Sequence, residues 1–246
     1  MPVKFFRRLP LANLVLANLV LAGAVLAAGA RAETAVDLQL VLAVDTSGSV
    51  DEREYALQLA GIAAALRDET VLAAIQSGPN KRIAASVALW SDPSLPKSAT
   101  PWHILSDAES VAGFARRVQG LARIRSGGTG IGSAIRFCVD LFQGNGLASP
   151  RRVIDLSGDG AETAWREWGI SPAQARTYAL SRGVTINGLA ILTDEPALDA
   201  YYRREVVGGP GAFVMAVDSL KDFAAAMRRK LIREITYRPQ LSRLAD

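Results

Sequence analysis

The sequence predicts an α/β fold: a doubly wound, mostly parallel central sheet, Rossmann-like, with helices on both faces in a three-layer sandwich. Three observations predict it. Strand-like and helix-like periods alternate from residue 37 onward. The strand candidates "LQLVLAVD" and "IAASVALW" are continuously apolar, as strands covered on both faces are. A hydrophobic content of 50% in 246 residues suffices for one well-buried core and is short for two domains.

The elements follow in order. Lys4, Arg7 and Arg8 precede a Leu/Ala/Val-rich run from about Leu9 to Ala28, and Ala30-Arg31-Ala32 gives an A-x-A cleavage pattern. Residues 1–32 therefore read as a secretory signal peptide; left uncleaved, the run is long enough to anchor the chain in a bilayer. The domain is expected over 33–236 and a loosely attached tail over 237–246. Asp37 to Asp45 is a strand. Asp51 to about Asp68 is a helix with Tyr55, Leu59, Ile62 and Leu66 on one face, continued by a short helical piece from Val71 to Gln76. Ile83 to Trp90 is a strand. "SDPSLPKSATP" is a loop, broken by three prolines, and "WHIL" a short edge strand.

Ser106 and Glu109 have capping-box spacing, and the helix they open carries Val111, Phe114, Val118 and Leu121 inward. "RIRSGGTG" is a loop. Ile131, Ile135, Cys138 and Phe142 line the next helix, which makes Cys138 a buried, inert thiol. "RRVIDLS" is a strand followed by the polar loop "GDGAETAWREWGI". Ser171 and Pro172 form a cap and first-turn pair, and Gly183 a stop. Val184 to Leu192 is a strand, Glu195 to about Glu205 helical, and Ala212 to Val217 a strand. The last helix, Ser219 to Ile235, turns Phe223, Met227, Leu231 and Ile235 inward and places Arg228, Arg229, Lys230 and Arg233 on a solvated face. Trp90 and Trp102 are expected in core or edge packing.

Composition excludes several functions. The chain has 28 basic and 24 acidic residues, but Lys4, Arg7, Arg8 and Arg31 belong to the leader, so the remainder is near neutral. Nucleic-acid binding, which needs a basic surface, loses its main support. One cysteine forbids an internal disulfide and suits the periplasm of a Gram-negative bacterium better than a disulfide-rich module. "GGTGIGSA" misses the G-x-G-x-x-G spacing and follows no clear strand, which argues against a dinucleotide loop. Any catalytic triad would have to use His103, the only histidine.

The chemistry concentrates in three separated stretches. In "AVDTSGSV" an apolar strand ends in Asp45, with hydroxyls at Ser47 and Ser49. Thr129 sits in a loop just before a helix, and Asp159 follows a strand in "LSGDG". Each stretch has a plainer use: hydroxyls and Thr129 as helix caps, Asp159 as a turn residue. In a doubly wound sheet, however, ligands bind beyond the carboxyl ends of the strands, where these residues would meet.

These residues resemble the metal-ion-dependent adhesion site (MIDAS) of the von Willebrand factor type A (VWA) superfamily, over essentially the whole chain after the leader. The chain is most similar to a secreted bacterial subgroup with a "DxSGSV" start and an "IDxSGDG" strand end. The resemblance implies that Asp45, Ser47, Ser49, Thr129 and Asp159 bind Mg²⁺, with Mn²⁺ or Ca²⁺ as substitutes. It also implies that the ion engages an acidic residue of a partner protein. Hard oxygen donors suit such ions. The sequence departs from the family pattern in having an extra glycine, Gly158, before Asp159; either the loop bulges and Asp159 still reaches the ion, or Ser157 takes part.

Trp165 and Trp168, with Glu162, are candidates for a partner surface beside the ion. Asp155 and Asn187, polar residues inside strand patterns, are expected to hydrogen-bond each other across neighbouring strands in a structural role. The chain carries no catalytic constellation, so a binding module is expected rather than an enzyme. Two alternatives stand beside it. One is a metal-dependent hydrolase with Glu162 as the only general base in sight. The other is a membrane-anchored scaffold with a degenerate metal site.

Overall fold

A computed structural model of the chain describes residues 33–163 and 169–238. The strands are β1 (Thr34–Ala35), β2 (Gln39–Asp45), β3 (Ile83–Trp90), β4 (Ser98–Ala99), β5 (His103–Leu105), β6 (Leu147–Ala148), β7 (Arg152–Gly158), β8 (Val184–Ile191) and β9 (Val214–Val217). The helices are α1 (Glu52–Leu66), α2 (Glu69–Gln76), α3 (Ala108–Gln119), α4 (Ile131–Asp140), α5 (Pro172–Ser181), α6 (Leu198–Tyr201) and α7 (Phe223–Thr236). A π-turn, Tyr202–Val206, extends α6.

The main sheet runs β4-β3-β2-β7-β8-β9. The pairs β2–β3, β2–β7, β7–β8 and β8–β9 are parallel, while β4 and β5 lie antiparallel on β3. β1 and β6 form a small parallel pair of their own. The expected mostly parallel sheet is therefore present, with the short edge strand at His103–Leu105 lying antiparallel.

All seven residues of β2 are buried. Their side chains alternate between two cores, as strand geometry requires. Leu40, Leu42 and Val44 pack with α1, α2, α3 and α7, while Val41 and Ala43 pack with α4, α5 and α6. Cys138 lies in the second core, fully buried, where burial pushes its thiol well above the ordinary range. Trp90 is fully buried, and the half-buried Trp102 packs on Phe142 at 5.5 Å.

Three local expectations are corrected. The cap of α3 is Asp107 with Ser110, not Ser106 with Glu109; Ser106 instead donates to the Asp107 carboxylate. Lys230 does not lie on the solvated face with Arg228 and Arg229 but is wholly buried. Its Nζ lies 2.5 Å from Asp155 Oδ1 and 2.7 Å from Glu234 Oε1. The helical period explains this: Met227, Lys230, Leu231 and Glu234 occupy one stripe, and that stripe faces the sheet. Asp155 and Asn187 are register partners on β7 and β8, yet they meet through this cluster rather than directly. The Asn187 amide donates to Glu234 at 2.8 Å and its carbonyl accepts from Phe213 N at 3.1 Å. A buried carboxylate needs a cation more than an amide, and Lys230 supplies it.

β2 leads to β3 on one side, and β7 leads to β8 and β9 on the other. The strand order therefore reverses between β2 and β7, and the crevice beyond their carboxyl ends is the expected ligand position. Asp45 ends β2, and Asp159 directly follows β7.

Candidate functional site

Asp45 is fully buried. Its Oδ1 accepts from the backbone N of Ser47 at 2.7 Å, a local turn that folds the chain back at the strand end. Thr46 ties the turn to β3 by donating from both N and Oγ1 to Trp90 O, at 2.8 and 2.9 Å. The turn places Ser47 Oγ 3.2 Å from Ser49 Oγ, and Ser49 Oγ donates to Asp159 Oδ1 at 2.7 Å. Residues 110 apart in sequence thus touch directly. Ser47 is buried and Ser49 exposed, so the cluster opens to solvent at Ser49.

None of the plainer uses fits. The cap of α1 is Asp51, in a capping box with Glu54, which leaves Ser47 and Ser49 without that task. α4 begins at Gly130 with no side-chain cap, so the Thr129 hydroxyl is not its cap. Asp159 reaches out to Ser49 rather than closing its own turn. Ser157 turns away, its Oγ donating to Ala43 O of β2 at 3.4 Å.

Thr129 is nearly buried and held on both backbone atoms: its N donates to Thr163 Oγ1 at 2.8 Å and its O accepts from Thr163 N at 2.9 Å. Its Oγ1 lies 3.7 Å from where a Cβ on Gly160 would stand, next to Asp159 in sequence. Gly48 N donates to Gly127 O at 2.8 Å, which binds the serine turn to the Thr129 loop. Asp92 Oδ2 accepts from Gly128 N at 3.2 Å.

Glu162 has Oε2 2.9 Å from Gly132 N, on the first turn of α4. Trp165 and Trp168 lie outside the described residues. Asp155 and Asn187 lie within the strands under α7, short of the crevice edge.

Two residues here have no local signal in the sequence. Arg123 donates from Nη2 to the carbonyls of Ser47, at 3.0 Å, and Val50, and from Nη1 to Glu52 at 3.1 Å. It thereby clamps the serine turn to the start of α1. Tyr202, on the π-turn, is wholly buried with its hydroxyl near Asp45.

The electrostatics are unbalanced. Burial, aided by the charge of Asp159, pushes the Asp45 carboxyl up to about 7, although bonds from Ser47 hold it down in part. Asp159 is also raised, by burial first and then by Asp194 and Glu54. Among the described residues neither carboxylate has an ion-pair partner. Buried carboxylates ordinarily have one. No group of three or more His, Cys, Asp or Glu among the described residues forms a metal cluster, so any cation here would rely on hydroxyls. The carboxylates of Asp45 and Asp159 and the hydroxyls of Ser47 and Ser49 make a hard, all-oxygen group with a deficit of positive charge, and Thr129 lies on the loop tied to the serine turn. That chemistry fits a small dication.

The fold is that of a VWA-like domain. A pilus adhesin, SpaC from Lactobacillus rhamnosus GG, is 13% identical with a TM-score of 0.59, over 82% of this chain and 31% of its own. Proximal thread matrix protein 1 from the mussel byssus, in a structure with a zinc-occupied MIDAS motif, is 17% identical with a TM-score of 0.55, over 82% of this chain and 48% of its own. The von Willebrand factor domain of the type V pili tip protein Mfa5 from Porphyromonas gingivalis is 11% identical with a TM-score of 0.54, over 84% and 98%. At these identities the likeness concerns the fold, and the chain spans only about a third of the first protein and half of the second. The chain belongs to the family described as Protein of unknown function (DUF1194), whose model matches residues 35–239. No curated protein matches it.

Proposed function

We propose that this chain is a secreted, metal-dependent protein-binding module rather than an enzyme. Asp45, Ser47, Ser49, Thr129 and Asp159 would hold one divalent cation, Mg²⁺ first, with Mn²⁺ or Ca²⁺ accepted by the same oxygens. When bound, the ion supplies an electrophilic centre for an acidic group of a partner protein. The observation that carries this reading is the 2.7 Å bond from Ser49 to Asp159, which joins the first and third stretches at the sheet's switch point.

The residues divide the work. Asp45 and Asp159 supply the negative charge that the site lacks a cation to balance. Ser47, Ser49 and Thr129 supply neutral oxygens that leave the ion's remaining charge available to a ligand. Arg123 and Asp51 hold the turn and α1 without spending those hydroxyls. Glu162, Trp165 and Trp168 follow Asp159 in the chain and are the residues proposed to contact the partner. No helix among the described residues is long and apolar enough to cross a membrane, and secretion rests on the leader.

Thermal melts of wild type and Asp45→Ala test the reading, in Mg²⁺ or Mn²⁺ and in chelator. A ligand that binds only the native state raises its stability. Wild type should melt higher in metal and the variant should not; a wild type indifferent to both metals defeats the reading. Chelator-sensitive capture of an acidic partner from periplasmic extract then tests the binding role. A panel of phosphatase and phosphodiesterase substrates should show no metal-dependent turnover.

A further inference from the structure

The extra glycine before Asp159 has a use. A Cβ on Gly158 would stand 2.8 Å from Asp45 Oδ2 and 2.8 Å from the Tyr202 hydroxyl. Both atoms are buried, neither has a hydrogen-bond partner, and both face this one point between β7 and the π-turn. They make no direct hydrogen bond as they stand, but lie on either side of one point, within reach of a bridging water or a small side-chain shift. The ring of the same tyrosine occupies a second gap, because a Cβ on Gly188 would stand 2.7 Å from Tyr202 Cδ2. Two glycines on neighbouring strands thus make room for one phenol, Gly188 for the ring and Gly158 for its hydroxyl. The π-turn Tyr202–Val206 carries that phenol, and such turns recur at functional sites. A phenol hydroxyl can donate, and it faces a carboxylate oxygen, which accepts.

We propose that Tyr202 is a positioning residue for the metal site: its hydroxyl is placed to donate to Asp45 Oδ2, through one water or after a small shift when the ion binds, and so orients that carboxylate, while Asp45 Oδ1 is fixed by Ser47 N. The inference rests on the metal-site reading above. It accounts for the extra glycine: any side chain at 158 would wedge the phenol away from Asp45. Groups that orient metal ligands from behind typically contribute 10–100-fold to affinity.

Titration calorimetry with Mg²⁺ and with Mn²⁺ tests it on wild type, Tyr202→Phe, Gly158→Ala and the double variant, with melts of each in chelator. Tyr202→Phe should bind metal roughly tenfold more weakly, while its melting temperature in chelator stays equal to wild type or rises, because without the ion the hydroxyl makes no bond that holds the fold. A purely structural role predicts the reverse: a lower melting temperature and unchanged affinity, which would overturn the proposal. Should Tyr202→Phe not fold, Gly158→Ala carries the test and should also weaken metal binding. Where all variants fold, the double variant should bind no more weakly than the weaker single one, because both remove the same interaction. Affinity losses that add, or variants that bind like wild type, would overturn it. A wild type that binds no metal fails the site reading itself, a separate result.

Discussion

The buried cluster under α7 makes a quantitative prediction about pH. Lys230 is fully buried between Asp155 and Glu234, so one cation faces two carboxylates. Burial first, and then the charge of Asp155, pushes the Glu234 carboxyl up from 4.5 to about 7, while Lys230 and the Asn187 amide pull it down in part. Between those values the folded chain keeps a proton that the unfolded chain has released. Stability contributed by this group is therefore full below about pH 4.5 and falls as pH rises towards 7. At about 1.4 kcal/mol per unit, the upper bound is about 3 kcal/mol. Glu234→Gln keeps the shape and the Asn187 contact, leaves Lys230 and Asp155 as a neutral pair, and removes the proton. The variant and wild type should be nearly equal at pH 4.5, and the variant should lead at pH 8 by up to about 3 kcal/mol, or roughly 6–12 °C for a domain of this size. Chemical denaturation in chelator across pH 4.5 to 8, read as the difference between the two proteins, isolates this group from the raised carboxyls of the metal site. A gap that is constant with pH, or one that closes as pH rises, would refute the reasoning.

Other outcomes follow from single contacts. Asp51→Ala removes the capping box of α1 and should cost about 1 kcal/mol in denaturant melts while leaving metal affinity unchanged; a parallel loss of affinity would mean that the cap and the metal turn are not separable. Arg123→Gln releases the carbonyls of Ser47 and Val50 and should cost roughly 1–3 kcal/mol and weaken metal binding together, measured by melts and calorimetry; an unchanged affinity would remove Arg123 from the site. Cys138 should resist thiol reagents in the native protein and react fully in denaturant; fast native labelling would contradict its burial.

Much of this fold was legible because one physical rule covers it. A strand buried on both faces needs an unbroken apolar run, and Gln39–Asp45 and Ile83–Trp90 are such runs. Ser171 and Pro172 start α5 as local chemistry requires, since a cap acts within one turn. The convergence of Ser49 and Asp159 was legible only through topology, because no local rule joins positions so far apart. Lys230 was misread by weighting the basic run 228–230 over the helical period, although an unpaired Asp155 inside a strand was already asking for a cation. The cap of α3 slipped by one residue because Ser106 and Asp107 both offer capping oxygens. Arg123 and Tyr202 had no legible signal: each acts through contacts set by the fold, on a carbonyl 73 residues away for Arg123 at Val50 and across the sheet edge for Tyr202.

Crystals soaked in Mn²⁺ test the central claim most directly, by anomalous scattering. The account predicts one strong peak within about 2.5 Å of hydroxyl oxygens of Ser47, Ser49 and Thr129, beside the carboxylates of Asp45 and Asp159, and its loss in Asp159→Ala crystals. A map with no peak there, or with manganese bound only elsewhere, would contradict it.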